Sequence, residues 1–176
     1  GFLKKYIYKH SCYLADFYDP YLNYAKKQGI NVTKGGLKEL NRLKIKPDLI
    51  VLSHVVEHWS NFHSEILELQ QLVKKNETLI YIEFPGLDSI KLGRRYCDFL
   101  GDIHVAHIYY FASYVFDNIM SRYGFKKKYI DSEMKALYVY TGEKNTLINF
   151  YEKVKEDLKI AENKRKLQIL KNIIKI

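Results

Sequence analysis

The segment His54-Val-Val-Glu-His58 sets two imidazoles and a carboxylate within five residues. The H-x-x-E-H spacing is also the signature of inverted zinc peptidases, where two histidines four apart on one helical face hold the metal. Zinc would need a helix through 54–58 and a third ligand far downstream. Here the apolar run 49–52 leads straight into His54, so the segment reads as a strand-to-helix junction and the shared helical face is lost. The zinc-peptidase chemistry is set aside and no metal site is assigned. A second group, His104-Val-Ala-His107, carries imidazoles that titrate near neutrality, and His107 or His58 can act as a base toward a hydroxyl. Asp16 closes an apolar run, where a carboxylate can accept both protons of a vicinal diol.

These residues sit at the ends of a repeating pattern. An apolar run at 12–15 stops at Asp16, and Asp19-Pro20 opens a helix over 21–28, with aspartate as cap and proline at its first position, ended by Gly29. A short strand at 30–33 meets the turn Gly35-Gly36. Residues 48–53 read as a strand buried on both faces. Ile66, Leu67, Leu69, Leu72 and Val73 keep helical spacing, and a strand at 78–84 is stopped by Pro85-Gly86. After an irregular basic stretch come a helix at 112–123 and strands at 125–130 and 136–140. Alternating strands and helices predict an α/β, Rossmann-like, mainly parallel sheet, with the last two strands forming an antiparallel edge hairpin. In such sheets ligands lie beyond the carboxyl ends of the strands, at Asp16, Gly35-Gly36, Ser53-His54 and Pro85-Gly86.

Composition narrows the class. The 176 residues suffice for one sizeable core. No run approaches the roughly 20 apolar residues of a membrane span, and the opening Gly-Phe-Leu-Lys-Lys has no secretory pattern. Cys12 and Cys97 provide neither a disulfide framework nor a zinc quartet, which fits a reducing cytoplasm. The net charge of +9 is spread along the whole chain, so no nucleic-acid role is expected.

The strand ends resemble the class I SAM-dependent methyltransferases, especially the bacterial group acting on sugars, quinones and other small molecules. The likeness runs from Gly1 to about Glu143 and is densest in Asp48-Leu-Ile-Val-Leu-Ser-His-Val-Val-Glu-His-Trp59, similar to the family's D-x-I-x-x-x-x-V-L-E-H. Gly1-Phe2-Leu3 is similar to the end of the glycine-rich loop, and 104–111 to the A-H-x-x-x-F segment that faces the substrate cleft. The resemblance implies S-adenosyl-L-methionine as cofactor and a small-molecule acceptor such as a sugar or metabolite. It implies cofactor contacts from Gly1, Asp16 (ribose), Gly36, Leu37, Ser53 and His54, with His107 and His58 as catalytic candidates. Many relatives carry an aspartate where this chain has Gly36, which leaves the backbone of Gly36 and Leu37 to meet the adenine edge. The family's first strand lies between the strands ending at Asp16 and Ser53. The methyltransferase domain, 1–143, is thus expected to be incomplete at its start, with the native protein longer or another chain filling the gap.

Residues 144–176 form a separate helical tail. Leu147, Tyr151, Val154, Leu158 and Ala161 keep a 4-3 spacing, which Leu167, Leu170 and Ile174 resume. The tail either packs on its own domain or forms a coiled-coil-like homodimer contact. The alternative function is accordingly an inactive methyltransferase-like domain that serves assembly through this helix.

Overall fold

A computed structural model describes residues 11–88 and 99–174, in two compact units. The first comprises the described residues 11–46 and 63–72. Its strands β1 (Tyr13–Asp16) and β2 (Asn31–Lys34) are parallel, with Tyr13 opposite Asn31 and Asp16 opposite Lys34. Helix α1 (Asp19–Lys27) makes the crossover and buries Leu22 and Ala25. Asp19 is not the cap that its place before Pro20 predicts. Tyr18 holds the cap position, and the Asp19 carboxylate turns outward to pair with Lys34 at 2.8 Å, while the nearby Tyr18 N–H is taken by Asp16. Sequence periodicity passes over the six-residue α2 (Leu37–Arg42), which is too short to show a repeat. The Asn41 side-chain amide donates to the Glu68 carbonyl at 2.9 Å and its carboxylate at 2.7 Å. This ties α2 to α3 (Phe62–Leu72), where Ile66, Leu69 and Leu72 are buried.

The second unit comprises the described residues 47–62, 73–88 and 99–174. It is built on a four-stranded sheet of β3 (Leu49–Ser53), β4 (Leu79–Glu83), β5 (Phe125–Ile130) and β6 (Lys135–Tyr140), in the order β3-β4-β6-β5. β3 and β4 are parallel, and β6 runs antiparallel to both β4 and β5. The fold is therefore the α/β type expected, with parallel strands and an antiparallel edge hairpin. β3 departs from its expected burial on both faces: Ile50 and Leu52 are buried, but Leu49 and Val51 are 53 % and 47 % exposed. As an edge strand it meets only β4 among the described residues, and its second face is not covered.

Helix α4 (Ser113–Arg122) buries Phe116 and Met120, and Phe116 meets Phe84, Phe111 and Tyr138 ring to ring. The turn into β5 needs glycine. Gly124 has φ +83°, and a Cβ there would stand 2.9 Å from the Gly142 Cα. The tail helix α5 (Tyr151–Ile174) starts later than the 4-3 spacing predicts. The Asn118 side chain engages the Ile148 backbone in both directions, at 2.9 and 3.2 Å, which uses the groups a helix would need. Its inward face takes two residues of the 4-3 stripe, Val154 and the buried Ala161, together with Asp157. Val154 packs on Leu87 and Ala112, and Asp157, 6 % exposed, accepts from the Tyr114 hydroxyl at 3.0 Å. Leu158, Leu167, Leu170 and Ile174 remain exposed. No helix among the described residues is long and apolar enough to cross a membrane.

Gly86, just past β4, sits where a Cβ would fall 1.8 Å from the Met134 Cγ, and Met134 is fully buried. Gly86→Ala is expected to destabilise the domain by about 1–3 kcal/mol through overpacking. Chemical denaturation checks this; an unchanged midpoint would mean the β5–β6 link yields freely.

Candidate active site

The residues singled out for chemistry fall into two groups, one in each unit. In the first, Asp16 ends β1 with its Oδ1 accepting the Tyr18 N–H at 2.7 Å, while Oδ2 has no hydrogen-bond partner among the described residues. The Gly35 N–H donates to the Asp16 carbonyl at 3.0 Å, so the ends of β1 and β2 are joined. Gly35 has φ +130°, a conformation that strains any residue with a side chain and so favours glycine. The Gly36 N–H is not free for a ring edge, because it donates to the Glu39 carboxylate at 3.0 Å. That bond is also the main cause holding the Glu39 carboxyl below its ordinary range. Leu37 begins α2 with its side chain buried. Phe17 was not legible as a site residue: it lies 75 % exposed, its ring close to Gly36. An exposed aromatic directly after a strand-end acid is the sequence signal that would have found it. Gly1 lies outside the described residues.

The second group is denser. Ser53 ends β3 opposite Glu83 of β4, and the His54 N–H donates to the Glu83 carbonyl at 2.8 Å. His54 adopts φ +53°, a left-handed conformation that costs a β-carbon-bearing residue roughly 1–2 kcal/mol. This kink stops the strand and starts a short 3-10 turn, Val56–His58, separate from α3. Glu57 and His58 therefore do not open the following helix, as the sequence pattern predicts, and 54–58 has no common helical face.

The turn is pinned to the segment that carries His104 and His107. The Glu57 carbonyl accepts the Ile108 N–H at 2.8 Å and the Tyr109 N–H at 3.3 Å, and His58 Nδ1 is 2.8 Å from the Ala106 carbonyl. A carbonyl only accepts, so His58 Nδ1 carries a proton, and in the neutral ring Nε2 presents the lone pair. That Nε2 lies 3.9 Å from Glu57 Oε1, and His54 Nδ1 lies 3.3 Å from the same oxygen. The His58 and His107 rings meet edge to face with centroids 4.9 Å apart.

Two features of this cluster are costly. Glu57 is fully buried, yet among the described residues neither carboxylate oxygen receives a hydrogen bond, and the buried His107 Nδ1 has no partner either. Leaving such groups unsatisfied costs about 1–3 kcal/mol each. Burial is the main cause that lowers His107 below the usual imidazole range; Glu57 opposes it, and His58, His104 and His54 reinforce it. His107 is thus a neutral imidazole at neutral pH.

The family of methyltransferase domains matches residues 4–129. The chain belongs to that family. The match embraces both groups of residues, from Asp16 to His107, and the α/β fold is the one such a domain is expected to have. No curated protein matches the chain. Among solved structures, the YcgJ protein from Bacillus subtilis is similar at 13 % identity with a TM-score of 0.48, over 91 % of this chain and 66 % of that one. The chain thus spans just under two thirds of that protein's length.

The left-handed turn at His54 is open to test by two substitutions that both remove the imidazole. His54→Gly is expected to be more stable than His54→Ala by about 1–2 kcal/mol, because glycine adopts the conformation freely. Equal denaturation midpoints would show that the turn relaxes and holds no strain.

Proposed function

We propose that this methyltransferase domain transfers a methyl group from S-adenosyl-L-methionine to a small-molecule acceptor. The observation that carries the reading is the end of β1, where Asp16 Oδ2 has no hydrogen-bond partner among the described residues and lies beside the Gly35-Gly36 turn and the exposed Phe17 ring. A carboxylate that presents an acceptor next to a flat aromatic and a side-chain-free backbone fits a nucleoside. Asp16 would hold the ribose diol and Phe17 would cover a face of the base. S-adenosyl-L-methionine, when bound, supplies the electrophilic methyl.

The acceptor's proton falls to the histidine cluster. His107 and His58 offer imidazole nitrogens of the kind that take a hydroxyl proton as the oxygen attacks. A strong base is not obligatory, since aligning an already reactive methyl donor contributes much of such catalysis. Glu57, by pinning residues 108 and 109 to the turn after β3, keeps the two histidines adjacent. The acceptor is a sugar or similar metabolite in this reading, in line with the small-molecule group that the strand-end motifs resemble. A role in the cytoplasm accords with the sparse cysteines. A homodimer through the exposed leucines of α5 belongs to the alternative, an assembly role for an inactive domain.

The reading is tested by titrating the full-length protein with S-adenosyl-L-methionine in a calorimeter. Asp16→Ala is expected to weaken binding at least about tenfold, the value of one charge-assisted contact. Unchanged affinity would remove Asp16 from the cofactor site, and no binding by the parent protein would favour the assembly role.

A further inference from the structure

Glu57, His58 and His107 each place a ligand atom within 4.8 Å of the other two. Three independent observations distinguish this cluster from an ordinary buried polar group. Both oxygens of the fully buried Glu57 lack a donor, and so does the buried His107 Nδ1. His58 has its Nδ1 proton committed to the Ala106 carbonyl, so its Nε2 lone pair faces Glu57 Oε1 across 3.9 Å. Acceptor thus faces acceptor; one proton can bridge His58 and Glu57, but it leaves His107 Nδ1 and the other Glu57 oxygen unpartnered, whereas a bound cation engages all three side chains.

We infer that Glu57, His58 and His107 form a binding site for a divalent transition-metal cation. Two imidazoles and a carboxylate are a ligand set suited to zinc, cobalt or iron(II), whereas magnesium and calcium favour all-oxygen sites. The imidazole that donates its far N–H to a backbone carbonyl is the usual support for a metal-binding histidine, because it fixes the tautomer and turns the other nitrogen to the ion. Ligand atoms about 2 Å from a tetrahedral ion stand roughly 3.3 Å apart. Closing the 3.9 Å gap between His58 and Glu57 therefore requires a movement on the order of half an ångström. His54, with Nδ1 3.3 Å from the same carboxylate oxygen, is the nearest candidate to steady Glu57 from its open side. The H-x-x-E-H spacing thus contributes Glu57 and His58, and the third ligand comes from the segment that the Glu57 carbonyl holds in place. In the loaded state the lone pairs that the metal-free cluster offers to a proton are given to the cation, which can itself acidify a bound hydroxyl. That consequence rests on the methyl-transfer reading. The metal site does not.

The test uses the full chain stripped with a chelator and titrated with Co2+, whose visible absorption reports nitrogen and oxygen ligands directly. One Co2+ per chain is expected, with Zn2+ displacing it and Mg2+ having no effect. Glu57→Gln and His107→Ala should each weaken Co2+ binding at least about tenfold, while His63→Ala, an exposed histidine outside the cluster, should not. Thermal unfolding provides a second measure. Co2+ should raise the melting temperature of the parent chain, and Glu57→Gln should melt no lower than the parent when metal-free and no longer respond to Co2+. The site is overturned if the parent chain shows neither the absorption nor the thermal shift. It is equally overturned if binding survives both Glu57→Gln and His107→Ala. Because none of these readouts involves S-adenosyl-L-methionine, a failure here leaves the Asp16 titration unaffected.

Discussion

The second unit depends on one residue used at both ends. The backbone carbonyl of Glu57 captures the Ile108 and Tyr109 N–H groups, and its carboxylate is sealed beneath the turn without a donor. The first interaction joins the chain after β3 to the chain before α4, two stretches some fifty residues apart. The second leaves a buried polar group uncompensated. A protein of marginal stability retains such a group where the arrangement serves something other than folding.

The aromatic packing follows from that junction. Tyr109 stacks on Phe111 with centroids 5.3 Å apart, and Phe62 meets both rings edge to face. Phe111 in turn meets Phe84 and Phe116, so the segment carrying His107 is continuous with the core over the sheet. Its histidines are thereby held on a packed support, as preorganised chemistry requires. In the first unit the corresponding constraint is the Gly35 N–H on the Asp16 carbonyl, which brings two strand ends together.

Much of this was legible in advance where a local rule had no competitor. Short continuous apolar runs located the strands, and Gly29 and Gly124 ended their helices, each at positive φ. Misreadings arose where side chains had a choice of partners. Asp19 seemed a cap but found Lys34. The stretch 145–150 seemed helical, but Asn118 holds its backbone at Ile148. For the tail the sequence left open which way the stripe faces: Val154 and Ala161 turn inward beside Asp157, which is bonded to Tyr114, while Leu158, Leu167 and Leu170 stay exposed.

By itself the sequence determined the class of protein: strands ending in acid, glycine and histidine motifs that mark a methyltransferase domain, because strand ends and turns are set by nearby residues. Tertiary structure alone decided what those histidines face. Whether His58 meets His107, whether Glu57 finds a donor and whether the Gly36 N–H is free all depend on contacts between distant segments. A five-residue motif has no means of encoding the carbonyl of Ala106 or the buried edge of an imidazole fifty positions away.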